Sequence, residues 1–204
     1  MTDFNDFNDI KQSLLSLGYD VSAFENSVEA TNYLCNKINN KSIGIGGSVT
    51  VKEIGLYDIL SENNTVYWHW QNSVFSNAEI LKKAANADIY ISSVNAIAKT
   101  GEIVNIDGNS NRVSAISFGH EKVYLIIGKN KISDSLQEAV ERARNIAAPL
   151  NAKRLMKKTP CASKGDKCYN CSSPDRICSE ISILLKKPAL QPIEIVLIDE
   201  NLGF

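Results

Sequence analysis

Long apolar runs are missing from this chain. Its hydrophobic stretches, such as Ile193 to Ile198 broken by Glu194, fall far short of the roughly 20 residues a membrane helix needs, so a bilayer-spanning protein is not expected. An excess of charge is missing as well, because 22 Lys and Arg face 23 Asp and Glu for a net charge of -1. Without a basic field, neither nucleic acid nor an anionic membrane is an expected partner. The first ten residues carry Asp3, Asp6 and Asp9 but no Lys or Arg, whereas a secretory leader opens with positive charge; a cytoplasmic chain beginning here is the expectation. Cysteine is scarce and uneven: of five, four fall within eighteen residues and Cys35 stands alone. A secreted disulfide framework would be even in number and spread along the chain, so a reducing compartment is expected.

Several signature motifs are absent too. Read from Gly44, the run Ile43-Gly44-Ile45-Gly46-Gly47-Ser48-Val49-Thr50 fails the G-x-G-x-x-G dinucleotide pattern at Val49, and no Lys-Ser/Thr pair makes it a P-loop. No Gly-x-Ser-x-Gly elbow anchors a serine hydrolase. Residues 107–112 begin like a calcium loop, but Arg112 holds position six and Phe118 position twelve, where glycine and a bidentate Glu belong. The two histidines, His69 between Trp68 and Trp70 and His120 after Gly119, have no partner at a diagnostic spacing and read as structural.

What is present is 204 residues, 44% of them hydrophobic, which suits one domain spanning 1–204 with a proper core. Short apolar runs at 42–45, 66–70, 88–91, 123–127 and 193–198 alternate with segments of helical period. Several are apolar at successive positions, as in strands covered on both faces. The expected fold class is α/β, a mostly parallel sheet sandwiched by helices. Thr50 with Glu53, Ser76 with Glu79, and Ser135 with Glu138 form Ser/Thr-x-x-Glu boxes that start three helices, the last ending near Ala148 before Pro149. A further helix over 27–38 places Val28, Thr31, Cys35 and Ile38 on one stripe, with Cys35 buried. Residues 102–106 and 113–118 read as the two strands of an added β-hairpin.

Three constellations are suited to chemistry. Gly46, Gly47, Ser48 and Thr50 follow a strand and precede a helix, so backbone N–H groups there can approach an anion; the plain alternative is a tight turn that Thr50 and Glu53 merely cap. Asn95, Lys99, Thr100, Gly101 and Glu102 follow the strand ending near Ser92, at the edge where open α/β sheets place ligands. Their plain alternative is a polar loop. Beyond them stand Asn109 and Arg112, the latter suited to pairing with a carboxylate or phosphate. The third constellation is Cys161-x6-Cys168-x2-Cys171-x6-Cys178, inside a polar, locally basic loop at 158–180. Cys-x-x-Cys presents two thiolates to one ion, and two flanking cysteines can complete a tetrahedron. Such a set suits zinc or an iron-sulfur cluster, and the spacing does not choose between them, since ferredoxin runs are tighter and end in Cys-Pro while zinc knuckles carry a second Cys-x-x-Cys. Free buried thiols and a redox pair at Cys168/Cys171 are the alternatives.

Taken together, Gly46-Gly47-Ser48-x-Thr50, the block Asn95-Ala96-Ile97-Ala98-Lys99-Thr100-Gly101-Glu102, Asp107-Gly108-Asn109-x-Asn111-Arg112 and the Cys-rich tail resemble the LUD (lactate utilisation, LutC/YkgG-like) family from about residue 22 onward. The most specific part is the Ala-Ile-Ala-x-Thr-Gly block followed by the arginine, and Lys99 departs from the acidic residue many relatives carry. The tail is similar to that of a short stand-alone subgroup. The resemblance implies a fold similar to the NagB/RpiA/CoA-transferase group, a cytoplasmic setting, and a part in oxidising lactate to pyruvate beside iron-sulfur partner proteins; it supplies no catalytic residues.

The leading expectation is a small anionic metabolite held between the Gly46 to Thr50 turn and the Asn95 to Arg112 segment. An appended metal or iron-sulfur centre would make the chain a component of an oxidoreductase system. One alternative is a non-catalytic regulatory or assembly module stapled by structural zinc. Another is a phosphosugar- or CoA-dependent enzyme, which needs Glu53 or Glu102 facing the pocket. The expected partners are the metabolite, iron-sulfur proteins and further copies of this chain.

Overall fold

The computed structural model describes residues 5–71 and 74–204; Asp3 of the acidic opening lies outside them. In chain order the elements are α1 (Asn5–Ser16), β1 (Asp20–Phe24), α2 (Ser27–Lys37), β2 (Ser42–Ile45), α3 (Val49–Glu53), α4 (Leu56–Leu60), β3 (Thr65–Trp68), α5 (Asn77–Ala85), β4 (Ile89–Ser92), β5 (Ala96–Ala98), β6 (Ile103–Asp107), α6 (Asn111–Ser117), β7 (Lys122–Gly128), β8 (Ile132–Ser133), α7 (Leu136–Arg142), α8 (Ala148–Arg154), α9 (Pro160–Lys164), β9 (Glu180–Leu184) and β10 (Ile193–Ile198). Six strands form a wholly parallel sheet in the order β1-β10-β7-β4-β2-β3, and four form a second, mixed sheet in the order β8-β5-β6-β9. The expected α/β class holds.

The period of two along a strand sorts its side chains between two cores. Val123, Leu125 and Ile127 of β7 join Ile193, Ile195 and Leu197 of β10 under α1 and α6, through Ile10, Leu14, Ala115 and Ile116. Tyr124, Ile126, Val196 and Ile198 turn to the other face and pack with Ala30 and Leu34 of α2, Val51 of α3 and Leu56 of α4. Apolar residues at successive positions therefore reflect burial on both faces. Glu194, 1% exposed in β10, is the exception. Its carboxylate accepts from Lys37 Nζ (2.8 Å), Tyr33 Oη (2.6 Å) and Ser22 Oγ (2.8 Å), which hold its pKa low against the upward push of burial.

Several expectations need correction. The 113–118 segment is helix α6, not the second arm of a hairpin, and β6 instead pairs antiparallel with β5 and β9. The Asp107 carboxylate is the cause: it accepts from the backbone N–H groups of Asn109, Ser110, Arg112 and Val113 and so starts a helical turn. The Thr50/Glu53 box does not form, because Ser48 is the N-cap, its Oγ accepting from Val51 N at 3.2 Å, while Thr50 lies inside the helix. Ser76 and Glu79 make a complete capping box. Ser135 caps α7 through Glu138 N, but the Glu138 carboxylate accepts from Asp134 N instead of the cap residue. That helix does not stop at Ala148. A π-turn at Ala143–Ala147 leads into α8 with Pro149 near its start, and the wider turn gives the proline ring the clearance a regular α-turn denies. In α2 the buried residues are Ala30, Thr31 and Leu34, with Val28 66% exposed and Cys35 half-buried at the core's edge. The stripe thus steps by four through 30, 34 and 38.

Strand β2 lies close beneath α5. A Cβ at Gly44 would overlap the Ala84 carbonyl, which is backbone and cannot step aside. Gly44→Ala is expected to cost about 3 kcal/mol, read as a lower denaturant midpoint at unchanged slope.

Candidate functional site

The carboxyl ends of the central strands open on a cavity of about 590 Å³. Gly47 and Ser48 reach it from the end of β2, His69 and Trp70 from β3, Ser93 and Asn95 from β4, and Lys131 from a short turn after β7. The opposite wall is the turn at 107–112 after β6 together with residues 174–177 of the Cys-bearing segment. Open parallel sheets hold ligands at this edge, and the volume is usual for a small-molecule site.

Arg112 is nearly enclosed, its side chain 12% exposed. Its Nη1 donates to Ser93 O (3.2 Å) and Asn105 Oδ1 (2.5 Å), and its Nη2 to Asn95 Oδ1 (3.1 Å) and Ile106 O (2.8 Å). The fifth donor, Nε, stands 3.8 Å from Asp107 Oδ2. Its terminal donors are spent on the protein, so Arg112 acts on the pocket through its charge and through the shape it imposes.

Lys131 is the residue that the motifs did not single out. It is 4% exposed, and its Nζ lies 2.9 Å from Thr50 Oγ1, 2.9 Å from Ser93 Oγ and 3.1 Å from Val94 O. All three are neutral oxygens. Burial, with the like charges of Arg142 and Arg112 and with Glu53 opposing, pushes its pKa down to about 7. A signal existed in the sequence: Lys131 stands three residues past the end of an apolar central strand, where ligands gather. Five cationic side chains, Arg112, Lys131, Arg154, Lys157 and Arg176, face the cavity against two acidic side chains, Asp107 and Asp175. Both acids are engaged, Asp107 at the start of α6 and Asp175 with Lys158 N. Arg154 lies over the Trp70 ring at 4.7 Å, a polar rim on an aromatic wall.

The expected site residues divide. Gly47, Ser48, Asn95, Asn109 and Arg112 line the cavity. Gly46 and Thr50 sit directly behind it: a Cβ at Gly46 would press on Ser92 Oγ and Tyr90 Oη at 2.8 Å, and Thr50 Oγ1 donates to Leu202 O while accepting from Lys131. Glu53 points elsewhere, accepting from Gly203 N at 2.6 Å. Lys99, Thr100, Gly101 and Glu102 form the β5–β6 turn, one strand-length from the cavity. There Lys99 pairs with Asp134, Thr100 with Glu102, and Gly101 adopts φ +102 against Leu17. Neither Glu53 nor Glu102 faces the pocket, so the carboxylate-dependent phosphosugar or CoA reading loses its residues. His120 is structural as expected, with Nδ1 on Ala87 O and its ring stacked on Tyr90. His69 instead lines the cavity, because β3 ends at Trp68 and not at Trp70.

The Cys-bearing segment closes one side. Cys161 is buried in α9, and Cys168, Cys171 and Cys178 are half-buried; all four are free thiols. Asn170, at φ +44, donates its N–H to Cys168 Sγ at 3.3 Å. Arg176 straps the loop by donating to the carbonyls of Cys171 and Cys178. The Cys178 thiol is pushed up by burial and by the other three thiols, Arg176 opposing. The donor chemistry suits a soft metal, but among the described residues no group of three or more His, Cys, Asp or Glu is arranged to hold one.

The sequence pattern of the LUD domain matches residues 8–198, so the chain belongs to the LUD domain family, which associates it at a coarse level with lactate utilisation. No curated protein matches it. The solved structure of a DUF162 family protein from Deinococcus radiodurans is similar in fold, with a TM-score of 0.52 at 12% identity, over 95% of this chain and 96% of that one. Among the described residues no helix is long and apolar enough to cross a membrane.

Because Arg112 ties β4, β5 and β6 together with a planar fork that an ammonium cannot copy, Arg112→Lys is expected to lose about 3 kcal/mol of stability. A denaturation midpoint within error of wild type would refute that role.

Proposed function

We propose that the cavity binds a small organic anion of the 2-hydroxy or 2-oxo carboxylate class, the ligand chemistry a lactate-utilisation role calls for. The observation that carries this reading is Lys131, a buried cation whose hydrogen-bond partners among the described residues are neutral oxygens and on which the charges of Arg142 and Arg112 act, opposed by Glu53, which makes no direct bond to it. A buried charge without a counter-ion is costly, and a carboxylate in the cavity supplies the counter-ion. Gly47 and Ser48, without bulky side chains, leave that approach open.

Binding should respond to pH in a defined direction. Free Lys131 loses its proton as pH rises through about 7, and a bound anion holds the proton on. Affinity should therefore fall about tenfold per pH unit above about 7, with one proton taken up on binding. His69 is neutral over that range, since burial and Arg154 lower its pKa, Arg112, Arg142 and Arg154 stay charged, and Glu53 on α3 opposes the two arginines at Lys131. Calorimetry with L-lactate and pyruvate in buffers of different ionisation enthalpy checks this. A pH-independent affinity would remove Lys131 from the binding site, and no binding of either acid would sink the reading.

A second proposal concerns the four thiols Cys161, Cys168, Cys171 and Cys178. Two observations favour a common occupant: the Asn170 N–H donated to Cys168 Sγ and the mutual influence of the thiols at Cys178. Occupancy would require the loop to draw inward, and no chemical step is assigned to it. Iron-sulfur occupancy would make the chain a redox component working with iron-sulfur partner proteins, and zinc would make the loop a staple. Protein purified without oxygen should contain stoichiometric iron and sulfide, or zinc, and lose it in Cys168→Ser; metal-free wild-type protein would end the proposal.

A further inference from the structure

We infer that Lys131 is a nucleophilic amine that condenses with the carbonyl carbon of a 2-oxo acid in this cavity to form an imine. The inference rests on the small-carboxylate reading of the pocket and adds a covalent step to it. Three geometric facts carry it. Lys131 lines the cavity yet is shielded from bulk water, the residue being 4% exposed. Its Nζ is held between two hydroxyls at 2.9 Å. The charges acting on it are two guanidinium groups, Arg142 and Arg112, opposed by Glu53, and among the described residues no carboxylate bonds to it. Burial and neighbouring cations are the two devices that keep a lysine amine neutral and reactive near pH 7.

The hydrogen-bond inventory allows the neutral form. Thr50 Oγ1 spends its hydrogen on Leu202 O, so it accepts from Nζ, and Val94 O accepts a second N–H. Ser93 Oγ can then donate to the nitrogen lone pair until a carbonyl carbon replaces it. In the reaction a C–N bond forms as the carbonyl π bond breaks, and a proton passes from nitrogen to the new alkoxide, with the Ser93 hydroxyl placed to relay it. The resulting hydroxyl leaves as water on taking up one further proton, delivered from solvent through the same serine, as the nitrogen lone pair forms the C=N bond. The product is a protonated imine, whose positive charge stays beside the acid's carboxylate in the field of Arg112 and Arg142. No oxidant or reductant is consumed. L-lactate has no carbonyl and can only ion-pair.

The test is to incubate the full-length protein with pyruvate, reduce with sodium borohydride, and measure the intact mass and the peptide map. The expected result is an increase equal to pyruvic acid less one oxygen, located on Lys131. The gain should be absent with L-lactate and with Lys131→Arg. Ser93→Ala, which keeps the amine, should slow adduct formation about tenfold or more, so the inference does not depend on whether the Lys131 variant folds. Calorimetric binding of both acids is measured in parallel. If pyruvate binds and no adduct forms on Lys131, or the label scatters over surface lysines, the covalent step is wrong and the binding reading survives. If neither acid binds, the binding reading fails and the inference falls with it.

Discussion

The junction between the two sheets depends on one buried guanidinium. Arg112 reaches the carbonyl where β4 ends, the side chain of Asn95 at the mouth of β5, and both the Asn105 side chain and the Ile106 carbonyl of β6. Asp107, beside it, spends its carboxylate on four backbone donors between residues 109 and 113 and so converts the end of β6 into the start of α6. An arginine needs several acceptors at once when buried, and the place where these strands diverge supplies them. Satisfying Arg112 therefore fixes how far the second sheet stands from the first, and with it the width of the cavity between them.

The same arrangement sets the electrostatics. The Asp107 charge lies beside Arg112, 3.8 Å from its Nε, while Lys131 has, among the described residues, neutral oxygens for hydrogen-bond partners. The Cys-bearing segment is coupled to this wall through contact. The Gly108 Cα lies so near Ile177 O that a Cβ would stand at 2.8 Å from it, and Ser179 N donates to Asp107 O just before β9 begins. Arg176 both straps the cysteine carbonyls and faces the cavity. Any change in how the thiols are drawn together is thus transmitted to the pocket through a few bonded residues.

Much of the scaffold was legible because burial on both faces leaves a direct trace. β2 and β10 begin and end where their apolar runs do. What local pattern could not show was decided by side chains acting across several residues. Val113 and Ile116 carry a strand-like composition, yet the Asp107 carboxylate imposes a helix on them. Ser48 outcompetes Thr50 as a cap because its backbone is extended at φ -139 while Thr50 is already helical. The site was half legible: the glycine turn and Asn95 could be placed by their position after strands. Lys131 belongs to no motif, and its significance comes from an environment assembled from α3 and the segments that follow β4 and β7, which no single stretch of sequence displays.

The family-specific block makes the same point from the opposite side. Ala96 and Ala98 face Ala139 of α7 and Ala143 beyond it, where only small side chains let helix and sheet approach, while Ile97 turns to the main core. Gly101 takes a left-handed conformation with Leu17 packed where a Cβ would stand. The block is thus a device for packing helix and sheet tightly, and Lys99, Thr100 and Glu102 sit at its turn, which does not line the cavity. A three-residue strand advances roughly 10 Å, enough to carry Lys99, Thr100 and Glu102 out of reach of anything held by Lys131. The pattern that best identifies the family records how the scaffold closes, while the chemistry falls to residues that the closed scaffold brings to the ends of its strands.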